Sequence, residues 1–281
     1  MCAKKKTRRR KYRKKNNHSG FNHKFTRGTV VILLLIIAVS FAFIYLEEGL
    51  HGIRNKREGN NRVKLDLTNV TDLHIPRYRT PRGEQIIKHT GFTVSYSEKH
   101  RQPNWVGYEL TVDKTRGEHE RTNRFICDPH VTGASAHTSD YSKSGFDRGH
   151  MVPAADMKWH KQAMEESFYL SNICPQHPDL NQQSWKVLED RARGWAISDS
   201  AIVIVCGPII RDRCRKIGNN KVSIPDGFFK VILSPHVSPP QAIGFLFKNK
   251  KYVGSLREYA VPVDSVEVIT GLDFFHQLPD S

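Results

Sequence analysis

The chain has 281 residues, enough for one medium-sized domain with appendages, and a formal net charge of +16. Twelve of its 44 Lys and Arg residues, and none of its 28 acids, fall in residues 1–28, so the remainder holds 32 bases against 28 acids, about +4. That distribution excludes a uniformly basic polyanion-binding domain. Outside the tail, contact with nucleic acid has to rest on a few placed residues.

Residues 1–28 read as a basic cytoplasmic tail. Residues 29–46 (TVVILLLIIAVSFAFIYL) follow, with only Thr29 and Ser40 clearly polar and no charge. A helix of that length spans roughly 27 Å, near the short end of what crosses a bilayer, and the segment is predicted to be a transmembrane signal anchor. A cleaved signal peptide is the rival, but the bulky, acidic Tyr45-Leu46-Glu47-Glu48 offers no small-residue cleavage site. The basic flank predicts a cytoplasmic N-terminus and an extracytoplasmic C-terminal domain. The Lys/Arg run lacks the spaced amphipathic pattern of a transit peptide, which favours a bacterial inner membrane, with a mitochondrial inner membrane as the alternative. Residues 47–61 are charged and aperiodic, a linker, and residues 62–281 form the folded domain.

Within the domain, Phe92–Tyr96 and Trp105–Val112 alternate as strands do. Phe168–Leu170 reads as a short buried strand, and Ala201–Cys206 as another that stops at Gly207-Pro208. Phe228–Leu233 and Ala242–Phe247 are further strands. The clearest helix starts near Pro178-Asp179 and runs through Trp195. Its Trp185, Leu188, Ala192 and Trp195 form one apolar stripe. The fold class is α+β, a mostly antiparallel sheet flanked by helices. Cys2, Cys127, Cys174, Cys206 and Cys214 show no CxxC and no metal-type spacing, and their disulfide state is left open.

The chemistry concentrates in three runs. Asp147-Arg148-Gly149-His150 sets a histidine, which titrates near neutrality and serves as a general base, beside an arginine whose fork suits a phosphate oxygen. Ser171-Asn172-Ile173 and Leu180-Asn181-Gln182 follow. An Asn carbonyl in the first turn of a helix suits a hydrated Mg²⁺, which needs few protein ligands. Glu189 lies about 80° round the helix from Asn181 and about 12 Å along it, within reach through metal-bound water. His119-Glu120 is followed by Arg-Thr-Asn and fails the zinc-helix pattern; neither a GxSxG nor a phosphate-binding loop is present in the sequence.

These motifs, in this order, resemble the DNA/RNA non-specific endonuclease family. The similarity runs through most of residues 90–277 and includes Trp105-Val106, Gly207-Pro208, Phe228–Leu233 and Thr270–Phe275. The resemblance implies a ββα-metal (His-Me finger) active site and Mg²⁺, with Mn²⁺ as a substitute. It implies His150 as general base, Asn181 as the direct protein ligand of the metal, Glu189 acting on metal-bound water, and Asn172 and Arg148 supporting the phosphate and the base. An upstream substrate-binding arginine is either Arg121 or Arg124. The expected activity is Mg²⁺-dependent hydrolysis of DNA and RNA to 5′-phosphate and 3′-hydroxyl ends by a membrane-anchored enzyme. The alternative is a non-catalytic, membrane-anchored nucleic-acid receptor for uptake. Homodimerisation occurs among such relatives, and the residues themselves give no independent sign of it.

Overall fold

The computed structural model describes residues 71–80, 83–251 and 254–278. The basic tail, the apolar segment 29–46 and the linker lie outside the described residues. Among the described residues, no helix is long and apolar enough to cross a membrane.

In chain order the main strands are β1 (Gln85–Lys88), β2 (Thr93–Ser97), β3 (Gln102–Thr111), β4 (Asp147–His150), β5 (Ile173–Gln176), β6 (Ala201–Ile209), β7 (Gly227–Ser234), β8 (Gln241–Lys248) and β9 (Ala260–Val261). Seven of them build one sheet in the order β9-β8-β7-β6-β3-β2-β1. Every pairing in it is antiparallel. Strands β4 and β5 pair with each other instead, also antiparallel. The helices are α1 (Lys161–Glu166), α2 (Lys186–Ser198) and α3 (Val263–Thr270). A mixed α/β fold with one large antiparallel sheet and few helices is therefore the observed architecture.

The central strands are mostly apolar, with Lys230 a buried exception, because both faces of the sheet are covered. Along β6, Ile202, Ile204 and Cys206 join the core under α2, with Tyr108, Phe228, Leu188 and Ala192. Val203 and Val205 point to the opposite core, with Trp105, Phe229, Val266 and Phe274. The sequence expectations differ from the structure in three places. Strand β6 does not stop at Gly207-Pro208 but runs on to Ile209. Beyond Cys206 it is paired by β7 alone, and a residue without an N–H is tolerated where one side of the strand is unpaired. Phe168–Leu170 is not a strand: a single parallel bridge joins Ile126 to Tyr169, and Leu170–Asn172 winds into a 3-10 turn.

The third difference lies at the start of the long helix. Residues Leu180–Trp185 form a widened π turn that leads directly into α2. Each residue of such a turn advances by less than in an α-helix. The angle between Asn181 and Glu189 is therefore smaller than a uniform α-helix gives.

Candidate active site

Strand β4 carries the histidine, and its pairing sets the geometry. His150 lies opposite Ile173, and Gly149 opposite Cys174. Gly149 has no room for a side chain, since a Cβ there would meet the Gln176 side chain at 2.2 Å. The strand is tied at both ends to the π turn. Asp147 Oδ2 accepts hydrogen bonds from Asn181 Nδ2 and Gln182 Nε2, each at 2.9 Å. At the other end, Trp185 Nε1 donates to the His150 carbonyl at 3.2 Å.

The His150 ring stands between two aromatic walls, Phe125 at 5.4 Å and Phe168 at 4.8 Å between centroids. Only 9% of the residue is exposed. Loss of water on burial, then the Arg121 charge and last the Arg148 charge hold its pKa down at about 3, against an upward pull from a hydrogen bond to the Arg148 backbone. The shift favours the neutral ring. Its Nε2 is buried and has no hydrogen-bond partner. An imidazole that donates through one nitrogen to a carbonyl presents the other as a lone pair, which is the form a base requires.

Each wall carries an exposed arginine. The Arg148 guanidinium lies over Phe125 at 4.3 Å, and that of Arg121 over Phe168 at 5.0 Å. Arg121 also acts electrostatically on both His150 and Glu189. Arg124 is exposed and, among the described residues, lies over neither of these rings. Of the two candidates, Arg121 is the one the fold brings to the histidine.

Asn172 is wholly buried, and its side-chain amide is consumed by the backbone. Oδ1 accepts from Val152 N at 2.9 Å, while Nδ2 donates to Val152 O at 3.0 Å and Ser167 O at 2.8 Å. It fixes the chain just past His150. Asn181 is half-buried; its Nδ2 is held by Asp147 and its carbonyl oxygen has no partner among the described residues. An anchored amide with an open carbonyl oxygen suits a hard cation.

Glu189, half-buried on α2, has its pKa pushed up to about 7 by desolvation, opposed chiefly by the Lys230 charge. Three residues that shape this environment went unassigned in the sequence. Arg193, one turn along α2, donates to Asp156 at 2.7 Å and also pairs with Asp190. Asp156 is buried and also accepts from Tyr108 Oη at 2.8 Å. Lys230 sits in the middle of β7 with no exposure, its Nζ unpaired and 4.4 Å from the centre of the Trp185 ring. A lysine inside the run Phe228–Leu233 was the available signal, because charge in a buried strand is costly unless paired. Gln176 also has a buried amide with no partner, beside Gly149.

Comparison with known proteins decides the family. The model of the DNA/RNA non-specific endonuclease family matches residues 69–281. The chain belongs to the DNA/RNA non-specific endonuclease family. Mouse mitochondrial nuclease EXOG is 35% identical over 217 residues, covering 71% of this chain and 59% of the mouse protein. The zebrafish counterpart is also 35% identical, with 65% of its length covered, so the chain spans about three fifths of these relatives. Bovine mitochondrial endonuclease G is 31% identical over 71% of this chain and 72% of its own. A crystal structure of EndoG in complex with EndoGI superposes with a TM-score of 0.67 at 28% identity, covering 71% of this chain and 89% of that one.

These relatives correct the localisation drawn from the N-terminal charge pattern. The bacterial inner-membrane placement is overturned, because relatives such as those of mouse, cattle and budding yeast are mitochondrial nucleases. Segment 29–46, on which the anchor rested, lies outside the described residues, and no described helix spans a membrane. The four cysteines of the domain are free thiols, two of them, Cys174 and Cys206, buried.

Proposed function

We propose that this chain is a divalent-metal-dependent endonuclease that hydrolyses phosphodiester bonds in DNA and RNA, leaving 5′-phosphate and 3′-hydroxyl ends. The observation that carries the reading is the double tie between β4 and the π turn, Asp147 to Asn181 and His150 to Trp185. It fixes a neutral histidine base and an open amide oxygen on one rigid ββα unit. Strands β4 and β5 and the helix after them supply the parts of a His-Me finger.

In this reading His150 Nε2 takes a proton from the attacking water, and the aromatic walls keep the ring neutral and aligned. Arg148 and Arg121 bind the non-bridging oxygens of the scissile phosphate; their guanidinium groups form paired hydrogen bonds to such oxygens. Asn181 Oδ1 would hold Mg²⁺, or Mn²⁺ in its place, and Glu189 would accept hydrogen bonds from the water around it. The bound ion supplies charge neutralisation for the leaving 3′ oxygen. Asn172 acts from behind, by holding Val152 and hence the end of β4. Contacts directed at phosphates carry little sequence information, which accounts for low specificity toward base and sugar.

The test is digestion of plasmid DNA and of an RNA transcript by the full-length protein in Mg²⁺, with and without EDTA. Metal-dependent cutting of both, lost in Asn181→Ala, is expected. Tight binding without cutting in Mg²⁺ or Mn²⁺ would replace the enzyme by a nucleic-acid receptor.

A further inference from the structure

A second group of metal-type donors lies outside the catalytic residues. His89, just after β1, meets Asp128 and His130, and one donor atom from each lies within 4.8 Å of the others. His89 Nε2 is 3.0 Å from Asp128 Oδ2, and His130 Nδ1 is 3.1 Å from Asp128 Oδ1. A tetrahedral zinc site with bonds near 2.0–2.1 Å sets neighbouring donors about 3.3 Å apart, so small shifts suffice. The side chains of His89 and Asp128 are fully buried, whereas His130 is 57% exposed and gives the cluster its opening to solvent. Ser171 Oγ, 2.6 Å from Asp128 Oδ2, or a water would complete four ligands.

The remaining nitrogen of His89 points the same way. Nδ1 is buried without a partner, and the ring is flanked by Phe92 at 4.7 Å and Tyr169 at 5.5 Å. No acceptor or donor fixes that nitrogen, so either ring nitrogen can carry the proton. With its proton on Nδ1, His89 turns a lone pair on Nε2 toward the Asp128 carboxylate. A divalent cation can then take the place of the proton that the ring and the carboxylate would otherwise share across 3.0 Å.

We propose that His89, Asp128 and His130 form a site for a zinc-class divalent cation, separate from the catalytic metal, that staples the segment 121–130 to the end of β1. Two imidazoles and one carboxylate suit zinc and are poor ligands for Mg²⁺. The staple has a structural consequence. The stapled segment carries Arg121 and Phe125, and Ile126 bridges to Tyr169, beside Phe168. Bound zinc therefore steadies the aromatic walls of His150 without touching the reaction.

The test uses full-length protein stripped with EDTA, loaded with Zn²⁺ and dialysed, with bound zinc measured by atomic emission and unfolding followed by heat. Wild type should retain about one zinc per chain more than His130→Ala and unfold several degrees higher when loaded, as expected for a ligand selective for the folded state. His130→Gln serves as the second variant should the alanine form fold poorly. Asn181→Ala should keep the same zinc as wild type. Equal zinc in wild type and both His130 variants, or loss of that equivalent in Asn181→Ala, would overturn the proposal. Neither result bears on whether the protein cleaves nucleic acid in Mg²⁺.

Discussion

Asp147 Oδ2 accepts a hydrogen bond from Asn181 Nδ2 at 2.9 Å. The first residue of the Asp-Arg-Gly-His run thereby orients the asparagine 34 positions later, turning its carbonyl oxygen outward. Partners of this kind tune a metal ligand without touching the ion.

Replacement of Asp147 by Ala should leave Asn181 in place but free to rotate. The Mg²⁺ concentration for half-maximal cleavage should rise about tenfold or more, with most of the rate recovered at saturating metal. A magnesium titration of plasmid cleavage measures this. An unchanged requirement would show that the hydrogen bond does not position the ligand.

The rate should fall as pH drops through about 7, where Glu189 takes up a proton, and His150, held at about 3, should add no acid limb of its own near neutrality. Profiles of kcat/KM against pH for wild type and Glu189→Gln check this, the limb being absent in the variant. The same shift has a stability sign. The folded-state pKa of Glu189 is raised, so its contribution is full below the unfolded value of 4.5 and is lost as pH rises through about 7. Urea midpoints of Glu189→Gln and wild type should accordingly converge near pH 4.5, with the variant the more stable above pH 7.

Asn172→Ala removes three hydrogen bonds and strands buried backbone groups of Val152 and Ser167. A loss of about 2–4 kcal/mol in urea unfolding is expected, together with loss of cleavage. An alanine variant as stable as wild type would deny Asn172 its part in holding the strand end.

Arg121 and Arg124 should separate cleanly. Arg121→Ala should lower kcat/KM on DNA by about 10- to 100-fold, about 1.4–2.7 kcal/mol of lost phosphate binding. Arg124→Ala should stay within about twofold of wild type, as exposed substitutions away from a site do. Steady-state kinetics on one short duplex compares them, and the reverse order would assign the arginine wrongly.

Much of this site was legible because its chemistry sits in short contiguous runs. Asp147–His150 and Leu180–Gln182 each announce themselves, and strand alternation located the sheet around them. What stayed hidden depends on contacts between distant residues. Nothing near Arg121 or Arg124 says which arginine lies over Phe168, a choice made by the bridge between Ile126 and Tyr169. Asn172 read as a support for the phosphate and the base, and its amide is spent on Val152 and Ser167, partners invisible in a linear chain. The π turn is likewise tied to β4 through residues more than thirty positions away. By contrast, helix α3 was readable and overlooked: Pro262 precedes it, and Gly271, at φ 69°, ends it in the left-handed conformation.

The central claim is that His150 is the base. It is tested most directly by plasmid cleavage in Mg²⁺ by full-length His150→Ala, with folding and DNA binding measured on the same sample. Cleavage should fall about a thousandfold while folding and binding persist. Cleavage at the wild-type rate by the folded variant would contradict the account.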